Sequence, residues 1–292
     1  MKNKFTMFKE FNQAADELDY LVSLGHYGEE AKRLLEDRDN YEDVDYFIRV
    51  LTEWHADKNQ YNKIRTYEYI SIIFQLYCSA VQANPKESIE LIASFKLGLG
   101  SNTAMEFMTS YTEYLKVFSD FKLLGKELTM DPNNIAKKLR YAKSISVAYS
   151  NGVEYINQTL NLLICLEKIL KNETYKFYSI NKMSLFDKLD LFNSDGKYNT
   201  LLEMVDRDIR NAEAHQNISY ILKTNSYKIK FKKSGKIKEK NIPLDLLLEK
   251  LILVGNYVQS FEYAGQLLTI GLLDTGKFIE IYTSLFKEYN IK

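Results

Sequence analysis

An all-α protein with one small β-hairpin is what the sequence predicts, on three observations. Prolines are rare: Pro85, Pro132 and Pro243 are the only ones, and each stands where the first turn of a new helix would begin. The long stretches between them repeat apolar residues at helical spacing, as Ile156, Leu160, Leu163, Leu166 and Leu170 do in "YINQTLNLLICLEKIL". A single stretch, "SYKIKFKKSGKIKEKNI", alternates residue by residue instead.

Taken in order, the N-terminal "MKNKFTMFKEFNQAADELDY" has no apolar core of signal-peptide length, and charges interrupt it throughout. The longest apolar runs, "YISIIF" and "LIASF", are far short of a membrane span. A cytoplasmic protein with no membrane partner is the expectation. Cys78 in "FQLYCSAV" and Cys165 in "NLLICLEKIL" sit in apolar helical surroundings and read as buried thiols rather than a disulfide. No Cys/His cluster has metal-ligand spacing, so neither a metal site nor a cofactor is expected. Lys plus Arg and Asp plus Glu both number 39, so the global charge points to no nucleic-acid or membrane partner, and any electrostatic argument must be local.

"GLGSNTAMEF" around Gly98 and "TMDPNN" around Pro132 are the best breaks in a chain without a Gly-, Ser- or Pro-rich linker. A soft boundary near residue 145 divides an acidic-leaning helical region, 1–145, of unknown role from a helical domain, 146–292. The second part carries the hairpin, at about 226–240. There Tyr227, Ile229 and Phe231 alternate with Lys228, Lys230 and Lys232, "KSGK" supplies the turn, and Ile237 resumes the alternation. A two-stranded hairpin is marginal alone, so its apolar side should rest on helices.

The second part also holds "RDIRNAEAHQNISY", which gathers Arg207, Arg210, Asn211 and His215, one of only three histidines, into nine residues. The helix carrying it should begin near "KYNTLLEM", capped by Asn199 or Thr200. Leu201, Leu202, Val205, Ile209 and Ala212 then fall within one face roughly 100° wide, which meets the core. Arg207, Asn211 and His215 follow each other at intervals of four and form a stripe at its flank, while Arg210 points further round toward solvent. Ala212 and Ala214 are small and leave room for close approach.

The chemistry this group supports is phosphodiester cleavage in RNA without a metal. A histidine near neutral pKa takes a proton from a 2′-hydroxyl or gives one to the leaving 5′-oxygen. An arginine grips the scissile phosphate and stabilises the charge of the transition state. Asn211 would orient the imidazole or hold a phosphate oxygen. One histidine cannot easily serve as both acid and base, whereas two copies facing each other across a dimer axis could.

"IRNAEAHQN" resembles the signature of the HEPN ribonucleases: Arg, four to six residues, then His, with Asn favoured directly after the Arg. Here these are Arg210, Asn211 and His215. The likeness extends over roughly the C-terminal half, since a hairpin and a further long helix, "NIPLDLLLEKLILVGNYVQSFEYAGQLL", follow the motif. It implies a HEPN-like helical bundle and a metal-independent endoribonuclease acting as a homodimer, with Arg210 and His215 catalytic and Asn211 supporting. It also implies a role in bacterial antiphage defence or a toxin system, with RNA as substrate and a regulatory protein or antitoxin as a further partner. The N-terminal helices would then be a sensor, a dimerisation module or an inhibitory lid. A toxin branch of the family carries a Tyr two residues after the His; Asn217 stands there in this chain, and Tyr220 is the nearest tyrosine downstream. HEPN-like bundles also serve as non-catalytic interaction or nucleotide-binding scaffolds, and such a scaffold is the alternative reading.

Two further features bear on the site. "RVLTEWH", Arg49 to His55, also satisfies the Arg-to-His spacing but has Val50 after the Arg, and a helix-surface or core histidine is its plainer reading. The lysine stretch, with Lys228, Lys230 and Lys232 on one side, reads as a phosphate-gripping ribbon beside the active site or as the solvated side of a protected edge strand, and Arg207 is left to hold flanking phosphates or an acid such as Glu203 one turn earlier. The 22 tyrosines and 16 phenylalanines are spread along all helices, which suits core and interface filling better than a base-stacking platform.

Overall fold

The computed structural model describes residues 16–56, 62–97, 104–214, 217–233 and 236–287. It is mostly α-helical with one small antiparallel sheet. The helices are α1 (16–23), α2 (Glu29–Asp37), α3 (Asp43–Ala56), α4 (Lys63–Ala83), α5 (Pro85–Leu97), α6 (Ala104–Met130) and α7 (Ile135–Leu170). Four short helices follow: α8 (Phe177–Asn181), α9 (Leu185–Phe192), α10 (Asn199–Leu202) and α11 (Arg207–Ala214). Strands β1 (Ile218–Ile221), β2 (Ser226–Lys233) and β3 (Lys236–Pro243) precede α12 (Leu244–Leu273) and α13 (Thr275–Lys287).

The prolines act as the sequence predicts. Pro85 opens α5, where its missing N–H is no loss, and Pro243 closes β3 and leads directly into α12. After Pro132, the Asn134 side chain caps α7 by accepting from the Lys137 amide at 3.1 Å.

The 36-residue α7 and the 30-residue α12 run through the centre, and α4 and α6 pack against them. Their buried residues, among them Ile73, Tyr77, Tyr149, Leu163, Val254 and Phe261, form one cluster with residues of the small C-terminal elements. Because α7 runs unbroken across residue 145, the compositional boundary there does not coincide with a break between elements. A second cluster, including Leu51, Trp54, Tyr67, Leu267 and Leu285, ties α3 and α13 to α4 and α12. Tyrosines do much of the filling: Tyr77, Tyr114, Tyr155 and Tyr257 are fully buried. Both cysteines are free; Cys165 is buried, and burial pushes its thiol up to about 12. Among the described residues no helix is long and apolar enough to cross a membrane.

The sheet departs from the predicted hairpin in two ways. It has three strands in the order β1-β2-β3, because "ISYI" pairs antiparallel with β2, Tyr220 opposite Tyr227. The lysine-bearing β2 is therefore the central strand, and edge protection is not its task. Secondly, the β2–β3 register pairs Tyr227 with Ile242 and Lys232 with Ile237. This register sets odd positions of β2 against even positions of β3, so Ile242 is buried while Ile237 lies on the outer face, 76% exposed. Tyr227 and Ile229 are buried against the helices as expected, and the Tyr227 hydroxyl donates to the Ala142 carbonyl on α7.

Candidate functional site

The predicted motif helix is two helices. The single turn of α10 ends at Leu202, and α11 begins at Arg207. Asp206, not Asn199 or Thr200, caps the motif helix: its Oδ1 accepts from the amides of Asp208 at 3.0 Å and Ile209 at 3.2 Å. The break between the two helices is stitched by a buried hydroxyl. Tyr149 of α7 donates to the Met204 carbonyl (2.9 Å) and accepts from the Asp206 amide (2.8 Å), which satisfies two backbone groups that a continuous helix would have paired internally. The break brings Met204 into the core beside Leu201, Ile209 and Ala212, while Leu202 and Val205 are only partly buried.

Of the candidate residues, Arg210 is not turned to solvent as helix spacing suggested. Its side chain is 30% exposed and lies toward α7, one guanidinium nitrogen 3.4 Å from Oε2 of Glu154. Arg207 is exposed, its guanidinium stacked 4.5 Å from the centre of the Phe186 ring on α9. It does not engage Glu203, which is instead held by Arg65 at 3.0 Å and the Tyr69 hydroxyl at 2.8 Å. Asn211 is half-buried. His215 lies outside the described residues, immediately after the end of α11. Beyond it the Asn217 amide donates to the Ala212 carbonyl at 2.6 Å and the Lys230 amide to the Asn217 carbonyl at 2.9 Å, so the chain joins α11 directly to the sheet. Glu213, within the motif, docks α11 on α7 through Lys143 at 2.6 Å.

The outer face of β2 carries Lys228 and Lys230, and the register places Lys232 in the same row, although the Lys232 side chain lies outside the described residues. The row is partly neutralised. Lys228 pairs with Glu239 at 2.6 Å and holds that carboxyl below the usual range; Lys230 approaches the same carboxylate at 3.8 Å. Lys240, facing the other way, reaches Asp206, the cap of α11, at 3.8 Å and Asp208 in its first turn at 3.7 Å. These pairs are solvent-exposed, so each is weak and opens readily to a competing anion.

The second Arg-to-His match is a structural tie. Arg49 pairs with Asp37 at 2.7 Å and Glu53 at 3.0 Å, and donates to the Tyr41 hydroxyl. Nδ1 of His55 is hydrogen-bonded to the Tyr67 hydroxyl, fastening α3 to α4.

Sequence reasoning missed Glu154, whose place beside Arg210 is a tertiary contact across 56 positions of chain. It also missed the Asp206 cap, for which "VDRDI" carries a local signal, and β1, for which the alternation in "NISYI" does. Among the described residues no three His, Cys, Asp or Glu side chains gather as a metal-binding group would. No protein-family model, curated protein or solved structure matches this chain.

Proposed function

We propose that the chain is a metal-independent endoribonuclease of HEPN type, working as a homodimer. The observation that carries this reading is the setting of Arg210: a half-open guanidinium on the motif helix, held among the described residues by one replaceable contact, and followed five positions later in the sequence by His215. In the proposed reaction a 2′-hydroxyl attacks the adjacent phosphorus and its proton passes to an imidazole. The 5′-oxygen leaves with a proton from a second imidazole, and a 2′,3′-cyclic phosphate remains. His215 from each of two chains supplies the base and the acid. Arg210 stabilises the phosphorane-like charge, Asn211 orients its neighbours, and Arg207, Lys228, Lys230 and Lys232 hold flanking phosphates. The resemblance further favours a bacterial defence or toxin setting, with a regulatory partner.

The alternative, a non-catalytic interaction or nucleotide-binding scaffold, draws on a different observation: Arg210, Lys228, Lys230 and Lys240 all have acidic partners within the chain. The two readings separate on His215→Ala. The nuclease reading expects this variant to lose cleavage of total RNA altogether while its melting curve matches the parent's. Cleavage at the parent's rate would rule His215 out of the chemistry.

A further inference from the structure

Resting on that reading of the site, we infer that Glu154 occupies the anion position of Arg210 and that an RNA phosphodiester must take its place. The pair is built asymmetrically. Oε1 of Glu154 accepts from Nδ2 of Asn157 at 2.9 Å and from Nε2 of Gln158 at 3.1 Å, so two amides of the following turn of α7 fix the carboxylate and aim Oε2 outward. Asn157 is itself anchored: its backbone and side-chain carbonyl oxygens both accept from Nζ of Lys188, a lysine only 1% exposed, at 3.3 and 3.0 Å. The acidic half of the pair is thus tied into the fold.

The basic half is not. Among the described residues the Arg210 guanidinium makes a single polar contact, one nitrogen to one oxygen at 3.4 Å, where a bidentate arginine–carboxylate pair would place two parallel bonds at about 2.7–2.9 Å. The two side chains are 30% and 41% exposed, so an incoming anion has access to both. A phosphodiester offers the planar guanidinium two oxygens at once, which the present geometry of Glu154 does not. The carboxylate therefore acts as an internal stand-in that holds Arg210 against α7, oriented and partly neutralised, until RNA displaces it. Glu154 touches neither the reacting atoms nor the substrate; it sets how readily Arg210 meets a phosphate.

The test uses the full chain and a fully 2′-O-methylated RNA, which binds but lacks the attacking hydroxyl, so that affinity is read whether or not the protein cleaves. Glu154→Gln keeps an oxygen for Asn157 and Gln158 and removes the charge. This variant should bind the RNA about twofold to fivefold more tightly than the parent, the change that corresponds to releasing an exposed ion pair. In an Arg210→Ala background the same substitution should give no gain, because the effect runs through the arginine. Unchanged or weaker binding by Glu154→Gln overturns the inference. A gain that persists undiminished without Arg210 also overturns it, since that reports general repulsion, and so does the absence of RNA binding by every form. Cleavage of unmodified RNA, assayed in parallel, bears on the nuclease reading alone: tighter binding with no cleavage would leave the exchange at Arg210 standing and remove the enzyme.

Discussion

Gly152→Leu is expected to yield no folded protein, and Gly152→Ala a protein that melts several degrees lower. Gly152 lies inside α7 where that helix crosses α12 and α6. A Cβ built there would sit 2.1 Å from Cγ1 of Val254 and 2.9 Å from the Tyr114 ring, and both of those residues are essentially inaccessible to solvent. Neither can swing into open space. Replacing a mid-helix glycine by alanine gains about 1 kcal/mol of helix propensity. Overpacking a filled core costs about 1–3 kcal/mol and more when several neighbours must move, and here it should outweigh the gain. Leucine adds three further carbons to the same contact. A thermal melt checks the sign, and Val254→Ala supplies the internal control. Removing the clashing methyl should make Gly152→Ala less harmful in the double variant than the two single effects summed. A higher melting temperature for Gly152→Ala would mean that α7 and α12 do not pack as described.

Arg210→Ala should lower turnover on saturating RNA by on the order of a hundredfold or more, the loss associated with removing a group that meets developing negative charge. Arg207→Ala should mainly weaken binding. The sequence left both arginines in play: motif spacing picks Arg210, whereas the stripe at intervals of four favours Arg207 as the neighbour of Asn211 and His215. The structure separates them. Arg207 is exposed and lies over Phe186, a contact worth about 0.5–1 kcal/mol at such a site. Arg210 sits against α7, its guanidinium 3.4 Å from Glu154. In the proposed homodimer, Arg210 would meet the phosphate held by the partner's imidazole across the twofold axis. Turnover lost in Arg207→Ala and kept in Arg210→Ala would show that the family's motif does not map onto this chain as the spacing suggests.

The helical character of the chain was legible because long amphipathic repeats and proline placement are local signals, and α7 and α12 carry both. The lysine strand was legible for the same reason: Tyr227 and Ile229 go inward because alternation leaves no other choice. What the sequence concealed depends on other parts of the chain. The break between α10 and α11 exists because the Tyr149 hydroxyl, some fifty-five positions away, satisfies the groups it frees. Ile237 faces outward because the register pairs it with Lys232, on the outer face of β2. In the site, Arg210, Asn211 and the lysine row were readable as residue types at set spacings. Their electrostatic setting was not, because Glu154 and Glu239 meet them only through the fold.

The most direct measurement is the chemistry of the ends left on RNA. Purified protein incubated with total RNA in excess EDTA should cleave it, and the fragments should carry 2′,3′-cyclic phosphate and 5′-hydroxyl ends, the products of 2′-oxygen attack assisted by paired histidines. Cleavage that requires Mg²⁺ and leaves 5′-phosphate ends would contradict the proposed mechanism.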